Sequence, residues 1–180
     1  MEGAHEGYGE DSSRLQKEKK EVAKEPLNIA LEAEEYTITF AANKKTLTRK
    51  ELFDWSKESD EQIRYYSGTA TYKTTFHWKN KLKKGQQIYL NLGTVCNLAT
   101  VRVNGIDYGT IWTAPYRADI TTALKKGINT LEIEVTNTWA NALKGADEGK
   151  APFEGIWTNA KYRKQENELL PAGLLGPLSF

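Results

Sequence analysis

Asn137, Trp139 and Asn141 stand two residues apart from one another, and on an extended backbone that spacing points all three side chains to one side. The result would be a small platform on which an indole face covers apolar C–H groups while planar amides exchange hydrogen bonds with hydroxyls. An alternative use of the same residues is structural, with both amides holding loop carbonyls. Bond-breaking chemistry has far less to draw on. The carboxylates that could form an acid/base pair, Asp147, Glu148 and Glu154, lie close together along one loop, the usual pattern of solvated surface charge. Of the two histidines, His5 belongs to the N-terminal segment and His77 falls on the polar parity of a strand, so neither completes a Ser-His-Asp or Cys-His arrangement. No catalytic residue is assigned. No histidine pair or Asp-rich calcium loop has metal-binding spacing, so no metal ligands are assigned either.

The elements that must position these side chains read as strands. Ala70, Tyr72, Phe76 and Trp78 alternate with Thr71, Lys73, Thr75 and His77, as a half-buried strand requires. The same period of two recurs in Tyr36, Ile38 and Phe40; in Ile88, Leu90 and Leu92; in Ala99, Val101 and Val103; and in Leu131, Ile133 and Val135. Asn104-Gly105 tolerates the positive φ values of a tight primed turn and predicts a hairpin between antiparallel strands. Asp119 is placed to cap a single helical turn through Thr121, Ala123 and Leu124, with Gly127 ending it. From Asn43 to Gln62 the pattern is irregular, with Leu52, Phe53 and Trp55 as anchors of a covering segment. Beyond Asn137 comes a loop containing Gly145, Gly149, Pro152 and Gly155, then a strand around Ile156 to Tyr162. The fold class that follows is all-β, an antiparallel β-sandwich with a short helical turn.

At 180 residues one domain with a substantial core is expected, spanning 27–180, behind an extension of residues 1–26 whose Gly, Glu, Ser and Lys content offers few large apolar groups. Residues 14–25 could form one or two helical turns that dock on another surface. The formal net charge is +1, from 25 basic and 24 acidic residues, which supplies no global field for nucleic acid; Lys79 to Lys84 reads as a solvated turn. Cys96, the only cysteine, excludes an internal disulfide and reads as a core thiol. No run of ~18 apolar residues could cross a bilayer, and the N-terminus lacks the apolar segment of a secretory signal, so export would need a signal upstream.

Several ordered motifs carry a family resemblance: Asp54 to Ser56 (DWS), Ile63 to Tyr72 (IRYYSGTATY), Leu92 to Val95 (LGTV), Val101 to Gly105 (VRVNG), Gly109 to Ile120 (GTIWTAPYRADI), Gly127 to Asn141 (GINTLEIEVTNTWAN) and Leu169 to Pro177 (LLPAGLLGP). Together they resemble the galactose-binding-like jelly-roll domain of bacterial α-L-rhamnosidase-type glycoside hydrolases and, more distantly, the sugar-binding sandwich of glycoside hydrolase family 2. The resemblance implies a jelly roll that accompanies a catalytic glycosidase domain, in the same or another chain, with a periplasmic or extracellular bacterial location. The catalytic carboxylates of that family sit on a separate barrel, which needs ~250 residues of its own. Where the family reads Asn-Arg-Leu-Ile-Gly-Asp after the last tryptophan of the motif, this chain has Asn141-Ala142-Leu143-Lys144-Gly145-Ala146 and lacks the charged pair.

A saccharide is the ligand this resemblance implies, and its recognition needs aromatic faces and planar polar groups. Trp112, Tyr116, Arg117, Asn137, Trp139, Asn141 and Trp157 form that inventory; Trp55 and Trp78 read as packing residues. Packing is also the common role of tryptophan in small sandwiches. No cofactor is expected, although a structural calcium held by backbone carbonyls, as occurs in similar jelly rolls, would leave little trace in the sequence. Beside the hydrolase module stand two other readings, a stand-alone lectin-like module and a purely structural interaction domain.

Overall fold

The computed structural model describes residues 29–159 and 168–180; the 1–26 extension lies outside them. In chain order the elements are β1 (Tyr36–Phe40), β2 (Thr46–Arg49), α1 (Glu61–Arg64), β3 (Thr69–Trp78), β4 (Tyr89–Asn91), β5 (Thr94–Cys96), β6 (Leu98–Val103), β7 (Ile106–Ile111), β8 (Arg117–Asp119), β9 (Gly127–Thr136), α2 (Ala140–Asp147) and β10 (Gly173–Gly176). Six strands form one antiparallel sheet in the order β2-β1-β3-β9-β6-β7. Its backbone is the β3–β9 pair, in register from Thr69 opposite Thr136 to Trp78 opposite Gly127.

The alternating positions point inward as expected. Ile38, Phe40, Ala70, Tyr72, Val101 and Ile133 are buried, while Thr37, Thr39, Lys73, Arg102, Glu132 and Glu134 occupy the outward parity. A second layer covers the inner face. β4 pairs with β8, and Asn91 and Ser179 exchange backbone hydrogen bonds of 2.8 and 3.0 Å. Ile29 and Phe180 pair in the same way at 3.2 and 2.8 Å, so the two ends of the described chain lie side by side within this layer, while β10 pairs with β5. Ile88, Leu90, Leu92, Leu174 and Leu178 close the core from this side. The molecule is therefore an all-β antiparallel sandwich.

At its centre Trp55 donates its indole N–H to the Tyr72 hydroxyl at 2.7 Å and meets Phe40 and Tyr66 edge-to-face at 5.2 and 5.7 Å. β10 passes so close that a Cβ on Gly173, whose φ is +100°, would lie 2.4 Å from the Trp55 indole nitrogen. The Asn104-Gly105 hairpin forms with φ of 50° and 81°, and the Asn104 amide pins it to Ala123 O and Asn129 Oδ1, both at 2.8 Å.

Five expectations are corrected. The irregular 43–62 segment contains β2, a 3-10 turn at Trp55–Lys57 and α1, each start capped by an aspartate, Asp54 and Asp60, that accepts a backbone N–H. The presumed loop after Asn137 begins with α2. The expected strand at 156–162 is absent over 156–159, and its remaining residues lie outside the described ones. Cys96 is half-buried in β5 and stands apart from the core cluster. The turn after Asp119 forms, with Asp119 accepting the Thr121 N–H at 3.1 Å and Leu124 N–H bonding to Ile120 O at 3.0 Å, but Gly127 opens β9 instead of ending that turn.

Candidate functional site at the loop-bearing end

Val135, Ala99 and Ile111 lie in one cross-strand row, so β9 and β7 leave the large sheet, and β6 enters it, at the same end. Trp112 follows β7 there, and the 137–172 excursion follows β9. Two bonds tie these connections together: Asn97 N–H donates to Thr136 O at 3.0 Å, and the Tyr116 hydroxyl donates to Asn97 O at 2.9 Å. Tyr116 is thus a brace of this end.

Both asparagines are consumed by the backbone. Asn137 accepts the Gly68 N–H at 2.8 Å and donates to Tyr66 O at 3.0 Å. Asn141, 3 % exposed, donates to Leu170 O at 2.8 Å and accepts the Leu170 N–H at 2.9 Å, clamping the return of the excursion onto α2. The shared platform of Asn137, Trp139 and Asn141 does not form, because Trp139 adopts φ −72° and ψ −4° and starts a helix. Each helical residue turns by about 100°, which places Trp139 and Asn141 on nearly opposite sides. Asn141 goes in and Trp139 goes out.

Trp139 is 56 % exposed and rests edge-to-face on Phe153 at 6.1 Å, which in turn meets the buried Tyr66 at 5.9 Å. Trp112 and Trp157 are more open, at 73 % and 81 %. Arg117 departs from this group: it lies on the outward parity of β8, with its guanidinium 5.1 Å from the Tyr89 ring centroid. Sequence reading missed Phe153, the support of Trp139; an isolated aromatic in a Gly/Pro loop has no periodicity to mark it.

The nearby carboxylates are not arranged as an acid/base pair. Glu148 accepts from the Tyr65 hydroxyl at 2.7 Å and pairs with Lys144 at 2.9 Å, and these contacts hold its carboxyl below the usual range. It stays ionised and serves to tie α2 to Tyr65. Asp147 and Glu154 are exposed. At the position where the family pattern carries arginine, Ala142 is fully buried and its N–H bonds to Ser67 Oγ at 3.0 Å. Gly145 is equally constrained, since a Cβ there would lie 2.9 Å from Tyr65 Cβ.

Residues 30–169 match the model of the glycosyl hydrolase 2 galactose-binding domain-like family. The chain belongs to that family. It is 38 % identical over 154 residues to a Formosa agariphila protein named "Putative beta-glucuronidase", covering 72 % of this chain and 13 % of that protein. The fold superposes on a rhamnosidase from Novosphingobium sp. PP1Y with a TM-score of 0.76 and 37 % identity, over 84 % of this chain and 15 % of the rhamnosidase. A Ruminococcus gnavus β-glucuronidase shares the fold at TM-score 0.51 and 19 % identity, over 61 % of this chain and 21 % of that one. This galactose-binding-like domain therefore spans about a seventh of the length of the first two relatives.

Proposed function

We propose that this galactose-binding-like domain is a non-catalytic module that packs on a catalytic glycosidase domain and contributes saccharide contacts from its loop-bearing end. The observation that carries this reading is the division of labour there. Asn137 and Asn141 spend their amides on the backbone, while Trp139 and Trp157 stand exposed on the excursion after β9 and Trp112 on the connection braced by Tyr116. Exposed indoles on a braced support suit the apolar face of a sugar ring or the apolar patch of a neighbouring domain. Among the described carboxylates of this end, Glu148 is tied to Tyr65 and Lys144 rather than set in the facing pair, ~5–9.5 Å apart, that glycoside cleavage needs.

The relatives support the same direction, since a β-glucuronidase and a rhamnosidase act on glycosides and both are far longer than this chain. The test has two parts. The isolated chain should not turn over aryl rhamnosides or aryl glucuronides, and hydrolysis that disappears in Asp147→Asn or Glu154→Gln would overturn the non-catalytic reading. Calorimetry against glycans, alone and with a separately expressed catalytic domain of such a hydrolase, should show sugar or domain binding that weakens in Trp139→Ala. Silence in both titrations would remove the site from this end.

A further inference from the structure

At the opposite end of the sandwich, two connections run side by side between the sheets. Trp78 lies opposite Gly127 in the large sheet, and Ile88 O accepts the Ile120 N–H at 2.9 Å in the second layer. Residues 79–87 and 121–126 therefore join the same two places. Between them they carry Lys79, Lys81, Lys83, Lys84, Lys125 and Lys126, all exposed, and no acidic residue. None of these six ammonium groups has a carboxylate partner among the described residues. In a chain of net charge +1 this is a local concentration of positive charge. The carboxylates of Glu34 and Glu35 lie on the segment before β1, which bridges the large sheet at Ala33–Phe76, two residues from the end of β3.

The lysine rim adjoins the outward face of the β4–β8 pair. Leu90 and Ala118 face the core, so Tyr89, Asn91, Arg117 and Asp119 face out, with Tyr89 opposite Asp119 and Asn91 opposite Arg117. Asp119 is already engaged by the Thr121 N–H at 3.1 Å and the Gln87 amide at 3.3 Å. Arg117 makes no ion pair among the described residues; its guanidinium lies over the Tyr89 ring, 5.1 Å from the centroid. A guanidinium held on an aromatic ring, with no carboxylate partner among the described residues and lysines on the adjoining connections, suits an anionic sugar: Tyr89 orients Arg117, whose N–H fork takes the carboxylate or sulfate in a bidentate grip. From Gln87 to Asn91 the strand rises about 13 Å, room for two to three sugar units.

We infer that the Tyr89–Arg117 face and its lysine rim form a second binding site, on the outer face of the β4–β8 pair rather than on the tryptophan-bearing loops, for an acidic saccharide chain. The small size of the patch and its single ring-supported guanidinium favour a saccharide over nucleic acid or membrane, which read charge over longer stretches. The site acts as an anchor: it holds polymer against the module while the other end meets the catalytic domain.

The full 180-residue chain is titrated by calorimetry with oligogalacturonate, dextran sulfate and neutral dextran. At low salt, one of the two acidic ligands should bind at least about tenfold tighter than neutral dextran, and the preference should shrink as salt screens the lysines. The stronger acidic arm identifies carboxylate or sulfate as the anion. Tyr89→Ala and Arg117→Gln should each weaken binding several-fold, and Lys81→Gln/Lys83→Gln/Lys84→Gln should flatten the salt dependence, all with unchanged circular dichroism. Trp139→Ala should leave this binding intact, which separates it from the proposed function. Absence of acidic preference, indifference to Tyr89→Ala, or equally tight binding of duplex DNA or phosphatidylglycerol vesicles would overturn the inference.

Discussion

The outer face of the large sheet and the loop-bearing end are both exposed, yet they use polar groups in opposite ways. On the sheet the charged side chains satisfy one another. Thr37, Lys73, Glu132, Arg102 and Asp107 lie in one row, where Lys73 and Arg102 grip Glu132 at 3.0 and 2.8 Å and Arg102 also reaches Glu134 and Asp107. Even the hydroxyls pair, Thr69 with Thr136 at 2.7 Å and Thr100 with Thr110 at 2.8 Å. The cleft of about 540 Å³ on this face is lined by Lys73, Arg102 and Glu132, which are committed in that way, together with Glu34 and Glu35. At the loop end the amides turn inward to hold backbone, and what is left outside is aromatic. The first surface has its groups satisfied by each other; the second spends its polar groups on support and exposes indoles, which is why the proposed contacts are put there.

The largest effect should come from removing that support. Asn141→Ala leaves the N–H and C=O of Leu170 without their partner in a part-buried clamp, a loss of about 1–3 kcal/mol in urea denaturation. Saccharide or domain binding should fall with it, because α2 and the return of the excursion lose their tie. A stable Asn141→Ala variant with full binding would break the comparison.

Next come the indoles themselves. Trp139→Ala and Trp112→Ala should change stability by less than about 1 kcal/mol, since both rings are mostly exposed. Any ligand affinity at this end should nevertheless drop about tenfold for Trp139, whose ring is fixed against Phe153, and less for Trp112. Calorimetry on the two variants checks the order.

The sheet face was the more legible of the two. Alternation identifies strands when one side is buried, and Ile38, Tyr72, Val101 and Ile133 behave so; Asn104-Gly105 likewise fixes its hairpin by local geometry. Pairing between residues far apart leaves no such trace. Nothing in the sequence of 29–31 or 178–180 announces that these segments pair beside β4. Gly145 reads as a loop residue yet sits within α2 because Tyr65 comes so close, and the spacing of Asn137, Trp139 and Asn141 misleads because it presumes an extended chain where a helix begins. A spacing argument holds only for the backbone it assumes.

A third test acts through pH. The hydrogen bond from Lys73, helped by Arg102, holds the Glu132 carboxyl below its ordinary range, and Lys45 does the same for Asp60. Because both folded values are depressed, their contribution is present above the unfolded pKa values of about 4 and is lost as pH falls through the lower folded ones. Urea midpoints measured from pH 6 down to pH 2 should decline in that window, and Lys73→Met should make the decline shallower. A Lys73→Met profile parallel to the parent would show that the row is ornamental to stability.

The smallest effect belongs to the paired hydroxyls. Thr100→Val and Thr110→Val keep the β-branched shape and remove one exposed hydrogen bond at the sheet edge, so each should shift stability by less than about 0.5 kcal/mol. Their value is as a control on the comparison. If the outer face were itself a recognition surface, these variants would weaken a ligand or partner without touching the fold. On the view taken here they change neither, and every affinity measured for the loop end or for the Tyr89–Arg117 face should be the same in Thr100→Val as in the parent chain.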